Sequence, residues 1–86
     1  MNTFICKESQ LGYTEEYFEL KTNAQILDIQ KYNAIRHRAD WVSCSKLVEN
    51  LKSDGFECRY RKIPTTKTYH EYKNMENFIE LRYGNY

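Results

Sequence analysis

Residues 43–56, "SCSKLVENLKSDGF", decide how the rest of the chain is read. Cys44, Leu47, Val48 and Leu51 recur at i, i+3, i+4 and i+7, with Lys46, Glu49, Asn50 and Lys52 on the opposite side. This spacing predicts an amphipathic helix of about three turns, from about 43 to 54. Gly55 is suited to a left-handed residue just past its end, and Phe56 then folds back against Leu51 in a Schellman cap. Asp40 and Ser43 are both suited to cap the start, with Trp41 packing over the first turn.

Beyond this helix the pattern changes to a period of two. In "FECRYRKI" Phe56, Cys58 and Tyr60 alternate with Glu57, Arg59 and Arg61, and in "NFIELRY" Ile79, Leu81 and Tyr83 alternate with Phe78, Glu80 and Arg82. Each is the signature of a half-buried strand, and the two are expected to form a hairpin or to be neighbours in a sheet. Their connection, "PTTKTYHEYKNME", is long for a hairpin loop, which suggests a functional loop or an extra short strand at 67–72. Upstream, "TFICK" (3–7) and "EYFELK" (16–21) are strand-like. "TNAQILDIQKY" is divided: Thr22 and Gln25 make a capping-box pattern, but Ile26, Leu27, Ile29 and Tyr32 scatter around a helical wheel. Leu27 and Ile29 alternate well enough to pair with Phe18 and Leu20 across a turn at 22–24, and a hairpin is expected there. The sum is one small α+β domain over residues 1–86: an antiparallel sheet with one well-capped amphipathic helix packed on one face.

Composition agrees with a folded chain. Eighty-six residues suffice for a single modest core, and 41% hydrophobic with 15% aromatic residues is not the composition of a disordered segment. No run of 18 apolar residues occurs and "MNTFICKESQ" lacks a signal-peptide pattern, so a cytoplasmic protein is expected. Cys6, Cys44 and Cys58 are odd in number and lack C-x-x-C spacing, which fits reduced, buried thiols rather than disulfides or a metal site. Cys44 itself lies on the apolar stripe, which favours a core thiol over a nucleophile. The glycines are isolated, so no phosphate-cradling loop is present, Glu15 and Glu16 diverge on a strand, and no cofactor is implied. Phe, Tyr, Met, Ile, Asn and Lys greatly outnumber Gly, Ala, Arg and Pro, the bias of an AT-rich genome such as that of a bacteriophage or a low-GC bacterium.

Charge points to a ligand class. The net +1 divides into −3 over residues 1–29, +5 over 30–67 and −1 over 68–86. The local field, rather than the total, steers a polyanion. Two arginine triplets lie in the basic middle, "RHR" (36–38) and "RYR" (59–61); on an extended chain each presents two guanidiniums on one face, where their planar forks suit phosphate. Lys62 and Lys67 extend the strip, and Tyr69 and Tyr72 offer stacking surfaces for unpaired bases. Arg36, Arg38, Arg59, Arg61, Lys62, Lys67, Tyr69 and Tyr72 are therefore the expected RNA-binding set. RNA ranks ahead of duplex DNA because no helix suited to the major groove is evident: the exposed side of 43–53 carries Glu49 and Asn50, unlike the recognition helix of a winged helix. The competing structural reading pairs these arginines across a strand with glutamates such as Glu57 or Glu80. Eight tyrosines suit a protein-binding surface as well.

The helix with its Gly55–Phe56 end, the basic strand after it and "YHEYK" beyond resemble, over residues 43–82, the HicA toxin family of small ribonucleases with a double-stranded-RNA-binding-domain-like fold. In that family a helix ending in a glycine–aromatic pair leads into a strand, and a glycine-serine-histidine segment on the next strand carries the catalytic histidine. By position the resemblance implies His70 as base, with Arg59, Arg61 or Lys67 steadying the phosphorane; here Thr68 and Tyr69 replace the glycine and serine. The expectation is accordingly a non-catalytic RNA-binding regulator or inhibitor, in the phage setting one acting on a host nuclease or ribonucleoprotein in the host cytoplasm. A tyrosine-rich protein-binding adaptor and a HicA-like endoribonuclease are the alternatives, and the oligomeric state is open.

Overall fold

The computed structural model describes residues 1–10, 14–35 and 43–83. In chain order the elements are β1 (Asn2–Gln10), β2 (Thr14–Thr22), α1 (Ile26–Ile35), α2 (Cys44–Ser53), β3 (Cys58–Ile63), α3 (Tyr69–Lys73) and β4 (Phe78–Tyr83). The four strands form one mixed sheet in the order β3-β2-β1-β4, an α+β architecture.

β1 and β2 pair antiparallel from Asn2↔Thr22 to Gln10↔Thr14, and β3 adds antiparallel to β2 from Thr22↔Cys58 to Tyr17↔Ile63. The fourth strand departs from the all-antiparallel expectation: β4 pairs parallel with β1, from Ile5↔Phe78 to Gln10↔Tyr83. Nor are β3 and β4 neighbours, since they hold opposite edges of the sheet. The chain between them crosses the sheet, with Tyr72 buried and Met75 partly buried on the way.

Period-two alternation gives the sheet two apolar faces. On one, Phe4, Cys6, Leu20, Cys58, Ile79 and Leu81 join Cys44, Leu47, Val48 and Leu51 of α2 and Ile29 of α1 in the main core. On the other, Ile5, Tyr17 and Tyr72 are buried together, with Ile63, Met75 and Phe78 packed against them. Burial of this apolar area is the main stabilising term.

The expected helix is present with both its caps. Ser43 Oγ accepts the Lys46 N–H at 3.2 Å. At the other end the Phe56 N–H donates to Leu51 O and the Gly55 N–H to Lys52 O, both at 3.0 Å. Gly55 has φ +97°, the Schellman geometry. Trp41 and Asp40 lie outside the described residues.

Two further helices stand where strands were expected. Residues 26–35 are α1 rather than a hairpin arm, and the edge of β2 that such an arm would need is already occupied by β3. Its start is fixed by Asp28, whose Oδ2 accepts the Gln25 N–H at 2.9 Å. The Thr22 hydroxyl instead accepts from the Ala24 N–H at 3.1 Å inside the turn. Residues 69–73 are α3 rather than a strand at 67–72. Thr68 Oγ1 accepts the Glu71 N–H at 3.2 Å, and Glu71 Oε1 accepts the Thr68 N–H at 3.1 Å. This is a reciprocal capping box, and the Glu71 carboxyl, accepting from both the Thr68 N–H and the Thr68 hydroxyl at 3.1 Å, is held below its ordinary pKa.

Candidate nucleic-acid interface

β3 is an edge strand, and its register against β2 determines which charges meet. Thr22↔Cys58 anchors the pair, the Cys58 thiol donating to Thr22 Oγ1 at 3.3 Å in the interior. Counting outward, Lys21 stands opposite Arg59, Leu20 opposite Tyr60, Glu19 opposite Arg61 and Phe18 opposite Lys62. Lys21, Arg59 and Arg61 therefore share the sheet face that also carries Glu19. All three cations are exposed. They line one shallow open groove together with Glu19 and Tyr60, although the Tyr60 ring turns to the opposite face, against Phe18.

The groove is partly neutralised from within. Arg61 Nε donates to Glu19 Oε1 at 3.3 Å, and on the other side of the strand Lys62 Nζ reaches Glu16 Oε1 at 3.4 Å. Cross-strand pairing of the basic strand with glutamates thus occurs, through Glu19 and Glu16 rather than Glu57 or Glu80. Arg59 and Lys21 have no carboxylate partner among the described residues. They face each other as like charges, an arrangement that costs stability in a sheet and that a bound anion relieves.

The remaining expected site residues lie elsewhere. Lys67 is exposed in the β3–α3 connection. Tyr72 is buried: its ring stacks on Tyr17 with centroids 4.3 Å apart, and its hydroxyl accepts the Thr66 N–H at 3.3 Å. It has no face for a base, because it is the residue that fixes α3 to the sheet. Tyr69 is half-exposed, but Lys7 Nζ sits 4.1 Å from its ring centroid. Its hydroxyl donates to Glu80 Oε1 at 3.0 Å. The buried Lys7 ammonium is itself held by Glu15 at 3.4 Å and Glu80 at 3.7 Å. This cluster is internally satisfied and clamps α3 and β4 to β1. Arg36 and Arg38 lie outside the described residues.

His70 lies in the first turn of α3, exposed, whereas the toxin-family resemblance implies a strand. No described residue hydrogen-bonds its imidazole, so nothing there fixes a tautomer or aims it at a substrate hydroxyl. Among the described residues no group of three or more His, Cys, Asp or Glu side chains is arranged to hold a metal ion. No described helix is long and apolar enough to cross a membrane.

Lys21 and Tyr60 were not among the residues expected at the site. Lys21 is far from the arginine triplets in sequence and joins them only through the β2–β3 register, while Tyr60 alternates with the core positions yet remains 42% exposed at the sheet edge. Comparison with known proteins adds no assignment: no family model, curated protein or solved structure matches the chain.

Proposed function

We propose that the chain is a small RNA-binding protein, a non-catalytic regulator or inhibitor, and that its ligand contacts the β2–β3 edge. The observation that carries this reading is the Lys21–Arg59 juxtaposition, without a carboxylate partner among the described residues, with Arg61 two residues along on the same face. Guanidiniums at i and i+2 of a strand are roughly 6.6 Å apart at their Cα atoms, a spacing suited to successive phosphates along one backbone. A non-catalytic role accords with an exposed His70 that no described side chain orients.

The test is a titration of RNA with the wild type and the Arg59→Ala/Arg61→Ala variant across a salt series. The expected result is weaker binding by the variant and a log K against log [salt] slope shallower by roughly 0.7 per lost phosphate contact on a single strand. The melting temperature should be nearly unchanged, since exposed ion pairs contribute about 0–1 kcal/mol. RNA length should be unaltered after incubation with wild type or His70→Ala. Equal affinities and slopes for wild type and variant would overturn the assignment of the edge, and cleavage abolished by His70→Ala would overturn the non-catalytic role.

A further inference from the structure

The register across three strands determines what the cationic face can offer a ligand. Thr3, Lys21 and Arg59 stand in one row across β1, β2 and β3, and Ile5, Glu19 and Arg61 in the next row on the same face. The third row, Lys7, Tyr17 and Ile63, is covered, because the Tyr72 ring of α3 stacks on Tyr17. Ile5 is buried, so among the described residues the open part of this face consists of the Thr3 hydroxyl, the cations of Lys21, Arg59 and Arg61, and the Glu19 carboxylate. The aromatic rings nearby are turned away or engaged. Tyr60 stands opposite Leu20 and packs on Phe18 on the other side of the sheet, and Tyr69 carries the Lys7 ammonium over its ring.

Resting on the RNA reading above, we infer that this face recognises the phosphodiester backbone alone and binds RNA irrespective of its base sequence. Lys21, Arg59 and Arg61 donate to phosphate oxygens, which are the same at every nucleotide; such contacts fix the path of the ligand and carry no sequence information. Reading a sequence takes a ring on which a base stacks or a hydrogen-bonding group aimed at a base edge. The open face has no described ring, and its one carboxylate is engaged, since Glu19 Oε1 already accepts from Arg61 Nε at 3.3 Å. The row at Lys21 and Arg59 is where a phosphate gains most, because two like charges face each other there with no carboxylate partner among the described residues.

The test titrates oligouridine, oligocytidine and oligoadenosine of equal length with wild type, Lys21→Ala and Tyr60→Leu across a salt series. The wild type should bind the three within about 5-fold of one another, less than a single stacked base contributes. Lys21→Ala should weaken binding to all three by a common factor and make each log K against log [salt] slope shallower by roughly 0.7. Tyr60→Leu keeps apolar cover over Phe18 and removes the ring, and should bind like wild type. A preference beyond about 5-fold for one sequence, a loss of about 5- to 150-fold in Tyr60→Leu with its melting temperature intact, or an unchanged slope in Lys21→Ala would overturn the backbone-only inference while leaving RNA binding intact. Failure of wild type to bind any of the three would overturn both.

Discussion

Arg61 on β3 and Glu19 on β2 face each other across the strand pair and are joined by a 3.3 Å ion pair that sits inside the cationic groove. The glutamate positions the guanidinium and also cancels its charge where a phosphate would bind. Glu19→Gln should therefore tighten RNA binding, because the groove gains one unit of net positive charge and Arg61 is released to the ligand. Its cost in stability should stay below about 1 kcal/mol, since the arginine is largely exposed. Salt-dependent binding titrations together with thermal melts check this; unchanged affinity with a large loss of stability would make the pair purely structural.

The stacked Tyr17–Tyr72 pair holds α3 on the sheet, and the two tyrosines should respond to mutation as core residues. Tyr72→Ala should destabilise the chain by about 3–5 kcal/mol, as for other large aromatic truncations in a core. Tyr72→Phe keeps the stack and loses only the bond from the Thr66 N–H, a cost of about 0.5–1.5 kcal/mol. Denaturant unfolding of both variants measures the difference. An equal effect of the two would mean that the hydroxyl, not the ring, fixes α3.

What could be read in the sequence follows from how local each signal is. The helix at 44–53 was legible because its stripe, its Ser43 cap and its Gly55–Phe56 end all lie within fourteen residues. α3 carried an equally local signal, Thr68-x-x-Glu71, which the alternation of "TKTYHEY" masked. α1 was obscured because Leu27 is 74% exposed while Ile29 is buried, so its hydrophobic residues do not mark one face. The parallel seating of β4 beside β1 has no short-range signature, since it depends on where the segment crossing the sheet finds apolar cover. The candidate groove was half legible: Arg59 and Arg61 stood out in the sequence, whereas Lys21 joins them only through register, Lys62 turns to the other side of the strand and Tyr72 is core.

Gly55 is required for its backbone alone. A Cβ built there meets no atom within 4 Å, yet φ is +97°. Gly55→Ala should therefore destabilise by about 1–2 kcal/mol through left-handed strain without any clash. Gly55→Asn should cost less than Gly55→Ala, because asparagine tolerates this region better. Melting curves of the two variants decide between strain and packing; equal losses would point to a packing contribution that the open space around Gly55 does not explain.

Two buried acids are expected to make the fold less stable at alkaline pH. The Cys6 thiol is held well above its ordinary pKa by its hydrogen bond with the Cys44 thiol and by burial, and the Tyr17 hydroxyl is raised by burial and by the nearby Glu15 carboxylate. In the unfolded chain they ionise near ~8.5 and ~10. Above those values the unfolded state has released protons that the folded state still holds, so stability falls as pH rises. Below about pH 8 neither group contributes any slope. Melting temperature should therefore be level on this account from pH 7 to 8 and decline from about pH 9 upward. Tyr17→Phe removes the phenolic proton, and should flatten the decline above about pH 10 relative to wild type while leaving the Cys6 portion in place. An identical alkaline slope in the two proteins would show that the Tyr17 hydroxyl ionises as freely in the folded chain as in the unfolded one.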